Sequence, residues 1–596
     1  MTRTTMRAIF TPQALAAAVA LGCCSQVQAV SFNIGEIEGQ FDSSLSVGAS
    51  WGMRDADRKF VGTVNGGTAQ SSTGDDGRLN FKKGETFSKI FKGLHDLELK
   101  YGDTGVFVRG KYWYDFELKD EDREFKPISD HNRKEGAKSS GAQILDAFVY
   151  HNYSIADLPG TVRAGKQVVS WGESTFIGNS INSINPVDVS AFRRPGAEIK
   201  EGLVPVNMLF ASQGLTNQLT VEGFYQLEWD QTVVDNCGTF FGNDVVADGC
   251  TTGYTVGSPA IAPLQPVAAA FGQGFQVSRE GVILPRGGDR DARDSGQWGA
   301  ALRWLGDDTE YGLYFMNYHA RSPVVSTTTA NVSPATLGAI AGAANGIVPG
   351  SGSGLVQSVM LGRGQYYLEY PEDIRLYGAS FSTTLPTGTA WTGEISYRPN
   401  APVQVNTNDL TLALLNPIAG GAASPIKTAL GADNTGYRRK EITQIQSSMT
   451  QFFDQVLGAD RLTLVGEAAI VRVGGLEDKS KLRYGRDSVY GQYGYGGDTG
   501  GFVTATSWGY RARAILDYSN VIGGINFKPN LSWSHDVNGY GPNGLFNQGA
   551  KALSVGVDAD YRNTYTASLS YTDFFGGRYN TLTDRDFLAL SFGVNF

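Results

Sequence analysis

The sequence predicts an all-β fold: a transmembrane antiparallel β-barrel of the outer-membrane type, with about 18 strands (16–18), short turns at one end and long loops with short helices at the other. Three observations carry this prediction. Side chains alternate polar and apolar with a period of two along nearly the whole chain. Short and long connections take turns between the alternating segments. The chain also ends on an alternating segment whose last residue is the aromatic Phe596.

At the start, Arg3 and Arg7 precede an apolar stretch from Ala14 to Gly22 and then Val27-Gln28-Ala29. This is the three-part pattern of a secretory signal peptide, with cleavage expected after Ala29. Cys23 and Cys24 raise a lipoprotein reading, but Ala20-Leu21-Gly22 fits a lipidation box poorly. Residues 30–596 are then expected to form a single barrel domain. Removing residues 1–29 takes away two Arg and no acid, so the net charge moves from −9 to −11. A chain so acidic is not built to bind nucleic acid. Beyond the leader there is no apolar run of about 18 residues, so any crossing of a membrane must be made by strands.

The first strand signal runs from Gln40 to Arg54. Phe41, Leu45, Val47, Ala49, Trp51 and Met53 share one face, and Gln40, Asp42, Ser44, Ser46, Ser50 and Arg54 the other. The pattern returns at Leu219 to Trp229, at Trp508 to Tyr518 and at Thr564 to Thr572. One face suits lipid and the other water. A secreted or periplasmic sandwich would also alternate, and the connections separate the two readings. Tight links at Gly102–Gly105, Gly214–Asn217, Gly306–Glu310, Pro386–Thr389, Ser519–Ile522 and Arg562–Asn563 lie between long polar or Gly-rich ones at about 119–142, 172–204, 230–296, 321–373, 399–440, 473–502 and 537–548. Barrels have this rhythm, with short periplasmic turns and long external loops. An even strand number lets both termini lie on the periplasmic side, and closure leaves no edge for lipid to penalise. The 27 Tyr and 31 Phe suffice for aromatic girdles at both bilayer surfaces, where the wall would meet lipid and lipopolysaccharide.

In the last strand, Leu588, Leu590, Phe592, Val594 and Phe596 alternate with Ala589, Ser591, Gly593 and Asn595. A terminal strand ending in Phe resembles the signal read by the barrel-assembly machinery, which makes that machinery an expected partner.

Charge concentrates in the connection 172–204, which also carries Pro186 and Pro195. A long loop entering from the outer mouth can fold inward and narrow a lumen, its charges then setting what passes. Trp171, Glu173, Asp188, Arg193, Arg194 and Glu198 are the candidate residues of such a constriction. The alternative is an external salt-bridged loop. Strand alternation turns Arg109, Lys111, Arg163, Arg303, Arg398 and Arg513 inward, together with Asp96, Glu98, Asp115, Glu222, Glu394, Glu467 and Asp558. A lumen of both signs announces no ion preference. Cys237 and Cys250, 13 positions apart in the connection 230–296, are expected to form a disulfide. Segments 328–349 and 410–430, rich in Ala, Leu and Gly, are either short amphipathic helices at the mouth or in the barrel, or ordinary capping loops.

Catalytic signals are weak. The five histidines, His95, His131, His151, His319 and His535, show no metal-ligand spacing. Ser534-His535-Asp536 cannot act as a triad, because consecutive strand residues point to opposite faces. Gly105 to Tyr112 has phosphate-loop spacing, but it lacks the final Ser or Thr and alternates as a strand. No cofactor and no metal are implied.

Gly165 to Ser174, Asn185 to Asp188 and Arg193 to Glu198, with Asp75 to Phe81 and His95-Asp96-Leu97, resemble a family of large Gram-negative outer-membrane barrels catalogued as a domain of unknown function. The Trp171-Gly172-Glu173 segment is the most specific part of the likeness. Members of that family are often encoded beside an inner-membrane exporter of the resistance-nodulation-division (MMPL-type) superfamily and a periplasmic protein similar to lipoprotein carriers. The resemblance implies a barrel that passes or receives hydrophobic or amphipathic molecules, partnered by such an exporter and carrier. It supplies no catalytic residues. The second expectation is a substrate-selective diffusion porin for small polar solutes. The third is an outer-membrane protease or lipase, for which Asp130-His131 in an external loop is too common a pair to count for much.

Overall fold

The computed structural model describes residues 30–257 and 274–596, so the expected leader lies outside the described residues. The main sheet has 19 strands, of which the short N-terminal strand Val30–Ile34 is an addition to a closed barrel of 18. The barrel strands are β1 (Ile37–Gly52), β2 (Thr86–Tyr101), β3 (Thr104–Asp115), β4 (Ser140–Ile155), β5 (Leu158–Gln167), β6 (Val206–Gly214), β7 (Leu219–Gln226), β8 (Trp298–Leu305) and β9 (Thr309–Tyr318). They continue with β10 (Ile374–Thr384), β11 (Ala390–Gln404), β12 (Tyr437–Val456), β13 (Ala459–Val473), β14 (Thr506–Ile522), β15 (Ile525–Asn538), β16 (Ala550–Tyr561), β17 (Tyr565–Gly576) and β18 (Phe587–Asn595). Each pairs antiparallel with its sequence neighbours. β18 closes on β1 in a register running from Ser44↔Asn595 to Gly52↔Phe587. Closure leaves the barrel no open sheet edge at membrane depth, where each unpaired backbone group would cost several kcal/mol.

The alternation sorts as the sequence predicts. On β1, Ser44 and Ser46 line the interior, whereas Leu45 and Val47 face outward. Leu313, Ile395, Leu531, Val555 and Phe592 are large apolar side chains left exposed, as a lipid-facing wall requires. Aromatic rows mark both ends of the strands. Trp298, Phe315 and Tyr377 pack near the loop side, and Trp304 stacks on Tyr311 near the turn side.

The tight turns differ in detail from expectation. The hairpin β14–β15 turns at Gly523–Gly524 rather than within Ser519–Ile522, because both glycines take the positive φ (59° and 89°) that a two-residue turn demands. Two further turns, Ala156–Asp157 and Leu457–Gly458, use the same left-handed geometry, in the first without any glycine. The connections 53–85 and 577–586 are also loops on the long-loop side.

Outside the barrel mouth the loops pack into an ordered cap. A helix α1 (Pro334–Ile347) is started by Ser333, whose side chain accepts from Thr336 N–H. It lies against α2 (Gly352–Gly362), and the two bury Leu337, Ile340, Ala344, Leu355, Val359 and Met360 together, with Leu415 and Leu430 from the connection 405–436. These apolar segments cover one another over most of their large side chains, with Ile347 left exposed at the end of α1. Cys237 and Cys250 are disulfide-bonded in the same cap.

Candidate functional site

The connection 168–205, between β5 and β6, folds into the barrel. Its neck is closed by Asn185, whose side chain accepts from Val169 N–H (3.0 Å) and donates to the carbonyls of Gln167 (3.2 Å) and Val204 (3.0 Å). From there it is stitched to the inner wall on several strands. Trp171, wholly buried, donates from Nε1 to Glu222 on β7 (2.8 Å) and packs on Phe224 and Tyr314. Glu222 is held in turn by Arg303 of β8 (3.1 Å).

Two wall carboxylates take the backbone of the loop's first half. Glu394 on β11 accepts from the N–H groups of Glu173 and Ile181. Glu467 on β13 accepts from Thr175 (3.0 Å), Phe176 (2.6 Å) and Ile177 (2.7 Å). A carboxylate gathering three amide protons is a strong anchor, because each bond is charge-assisted. Gly172 sits at φ +87°, and a side chain there would strike the Glu394 carboxylate, so the Trp171-Gly172-Glu173 turn needs its glycine. Gln444 and Gln446 of β12 complete this seam on the carbonyls of Gly178 and Ile177.

The second half runs back along β3, β2 and β1. Asp188 takes the Lys111 ammonium (3.1 Å) and caps the short helix Val189–Arg193 at Ala191 N–H (2.9 Å). Arg194 donates to Gly136 O (2.7 Å) and lies over the Trp113 ring. Arg193 turns to the connection 227–297, pairing with Asp235 and lying over Phe241. Lys92 of β2 holds Gly196 O and Glu201, both at 2.6 Å. Glu198 accepts from Ser44 of β1 (3.2 Å) and pairs with Lys200.

All six candidate residues thus sit on one loop within the barrel, but not as one cluster. Trp171 and Glu173 anchor one side, Asp188 and Glu198 the other, and the two arginines are spent on neighbouring loops and rings. Reading the sequence did not single out Phe176, Phe192 and Ile199, apolar side chains that the loop leaves exposed within the barrel. It placed Glu394 and Glu467 inward without their role as anchors. For Glu394 a signal existed: its register neighbours, Ser380 and Gln446, offer no basic partner.

The loop's contacts reach from β1 round to β13. The remaining arc is polar: β15, β16 and β17 turn Asn530, Ser532, Ser554, Asp558, Ser568 and Ser570 inward, all half-buried. At the turn side a cavity of about 770 Å³ lies between the loop and the wall of β1, β2, β17 and β18, lined by Asp42, Ser46, Asp96, Glu198, Arg562 and Thr566 among others. A second, of about 380 Å³, lies among the outer loops beside Tyr254, Arg486, Phe546 and Tyr579.

Residues 10–596 match the model of a family described as "Protein of unknown function (DUF1302)". The chain belongs to that family. No curated protein matches it. Among solved structures it is similar to OccAB1 of Acinetobacter baumannii, with 11% identity over 96% of this chain and 99% of that one, at a TM-score of 0.38. OccD3 (OpdP) of Pseudomonas aeruginosa gives 9% identity over 95% and 93%, also at 0.38. OmpF of Salmonella typhi, solved with daunomycin, gives 9% over 95% and 100%, at 0.34. Likeness at this level says nothing of what this DUF1302 protein carries.

Proposed function

We propose that this DUF1302 protein is an outer-membrane diffusion channel for small solutes with a polar part, and that the inner loop 168–205 is its constriction. The observation that carries this reading is the division of the lumen. A loop is fixed to the wall from β1 to β13, and a polar arc on β15–β17 is left half-exposed. Fixed polar side chains along an aqueous path are what a selective pore needs. Trp171, Asp188 and Glu198 act by holding the loop with their side chains and Glu173 with its backbone N–H; Arg193 and Arg194 act through its packing rather than as free charges at an eyelet.

A second reading, passage of hydrophobic or amphipathic molecules in concert with a resistance-nodulation-division exporter and a periplasmic carrier, is favoured by one observation. Phe176, Phe192 and Ile199 expose apolar surface inside the barrel. The helices α1 and α2 give it no support, since their apolar faces are mutually covered. We also infer that the terminal strand ending at Phe596, whose backbone pairs with Ser43, is what the barrel-assembly machinery reads.

Swelling of liposomes containing the refolded protein separates the two. Rapid swelling in small polar solutes supports the channel. Failure to swell by a barrel with intact β-structure favours the second reading, whose own test is cross-linking to the exporter and carrier.

A further inference from the structure

Outside the lumen, the outer cap buries an excess of negative charge. Asp75 and Asp76 come from the connection 53–85 and Asp244 from the connection 227–297; their side chains belong to residues that are 0%, 5% and 1% exposed. One oxygen from each lies within 4.8 Å of the others. Counter-charge is short. Lys126 reaches Asp76 (2.7 Å) but is shared with Glu280 (3.0 Å), the buried Arg585 near Asp244 is shared with Asp584 (3.8 Å), and among the described residues Asp244 accepts from the backbone N–H groups of Asp76 and Gly238, at 3.2 Å each.

A second observation points to a missing ligand. The Asp75 carboxyl turns Oδ2 to Gly62 N–H (2.8 Å) and Asn65 (3.0 Å), while its Oδ1 is buried with no hydrogen-bond partner among the described residues. A buried acceptor left unsatisfied is costly and calls for a water or an ion.

We propose that Asp75, Asp76 and Asp244 bind a divalent cation, and that calcium is the ion that fits. Carboxylate oxygens are the ligands hard cations take, and oxygens sharing one calcium at 2.3–2.6 Å stand at most about 5 Å apart. The three oxygens, all within 4.8 Å of one another, are close enough to share one ion. Magnesium dehydrates reluctantly and usually keeps several waters in strict octahedral geometry, so three buried carboxyls suit calcium better. The bound ion would join the connections 53–85 and 227–297, and Lys126 would then serve Glu280. The segment Asp75 to Phe81, prominent in the sequence but remote from the inner loop, thereby acquires a use.

The test is calorimetric titration of calcium chloride into the full-length, detergent-solubilised barrel after stripping with EDTA. One calcium per chain is expected, with a Kd of about 0.1–1 mM, as in extracellular sites. Magnesium is expected to bind at least tenfold more weakly. Asp75→Asn and Asp244→Asn should each weaken calcium at least tenfold, and the exposed Glu124→Gln should not. Absence of calcium binding by the unaltered protein, or unchanged binding by both Asn variants, overturns the proposal. Should the variants fail to fold, crystals of the unaltered protein soaked in terbium decide it: an anomalous peak among the three carboxyls supports the site, and its absence there contradicts it.

Discussion

At the scale of single residues, the inner loop is held by buried charges that cannot be removed one at a time. Lys111 and Asp188 are both almost completely shielded, at 3% and 2% side-chain exposure. Replacing Asp188 by Ala strands the ammonium and uncaps the Val189–Arg193 helix, so it should cost about 3–5 kcal/mol, as breaking one side of a buried pair does. The double change Lys111→Met with Asp188→Leu should cost less than the single one. Urea unfolding followed by the heat-modifiable gel mobility of barrels measures both, and equal losses would show that the pair's charges are not what matters. Trp171→Phe keeps most of the ring packing and loses the bond to Glu222. A hydrogen bond to a charged group contributes about 1.5–3 kcal/mol, and that is the destabilisation expected.

At the scale of elements, the inner loop rests on Glu467. Glu467→Ala leaves the N–H groups of Thr175, Phe176 and Ile177 without their acceptor. The loop should come loose while the strands hold, giving new protease cleavage within 168–205 and noisier, larger currents; a cleavage pattern like that of the unaltered protein would argue against the anchor. The disulfide Cys237–Cys250 closes a span of 13 residues in the outer cap. Its loss in a Cys237→Ser, Cys250→Ser protein should cost the cap about 3 kcal/mol, an estimate from chain entropy, and leave the barrel's circular dichroism unchanged. The elements were legible in the sequence to different degrees. Strands such as β1, β7 and β14 were plain, because alternation is local and each face meets a single solvent. The Ala156–Asp157 turn was not, because its left-handed backbone carries no glycine to announce it. The inner loop's charges were visible, but not their partners: Glu467 meets Thr175 across 292 positions of sequence. Only closure of the barrel sets β13 against that loop. Arg193 and Arg194 looked like eyelet charges for the same reason, since Asp235 and Trp113 reach them only through the folded cap and wall.

At the scale of the whole molecule, the closed wall, the ordered cap and the inner loop make one account: a lumen narrowed from the β1–β13 side and polar on the other. The cap's helices bury their own apolar faces, so the outer end is shaped by packing among loops rather than by lipid. The most direct test is single-channel recording of the refolded barrel, residues 30–596, in planar bilayers, beside the Glu467→Ala variant. Steady, ohmic ion currents are expected, growing and fluctuating when the anchor is removed. A correctly folded barrel that stays electrically silent in both forms would contradict it, and would leave a plugged lumen suited to docking rather than passage.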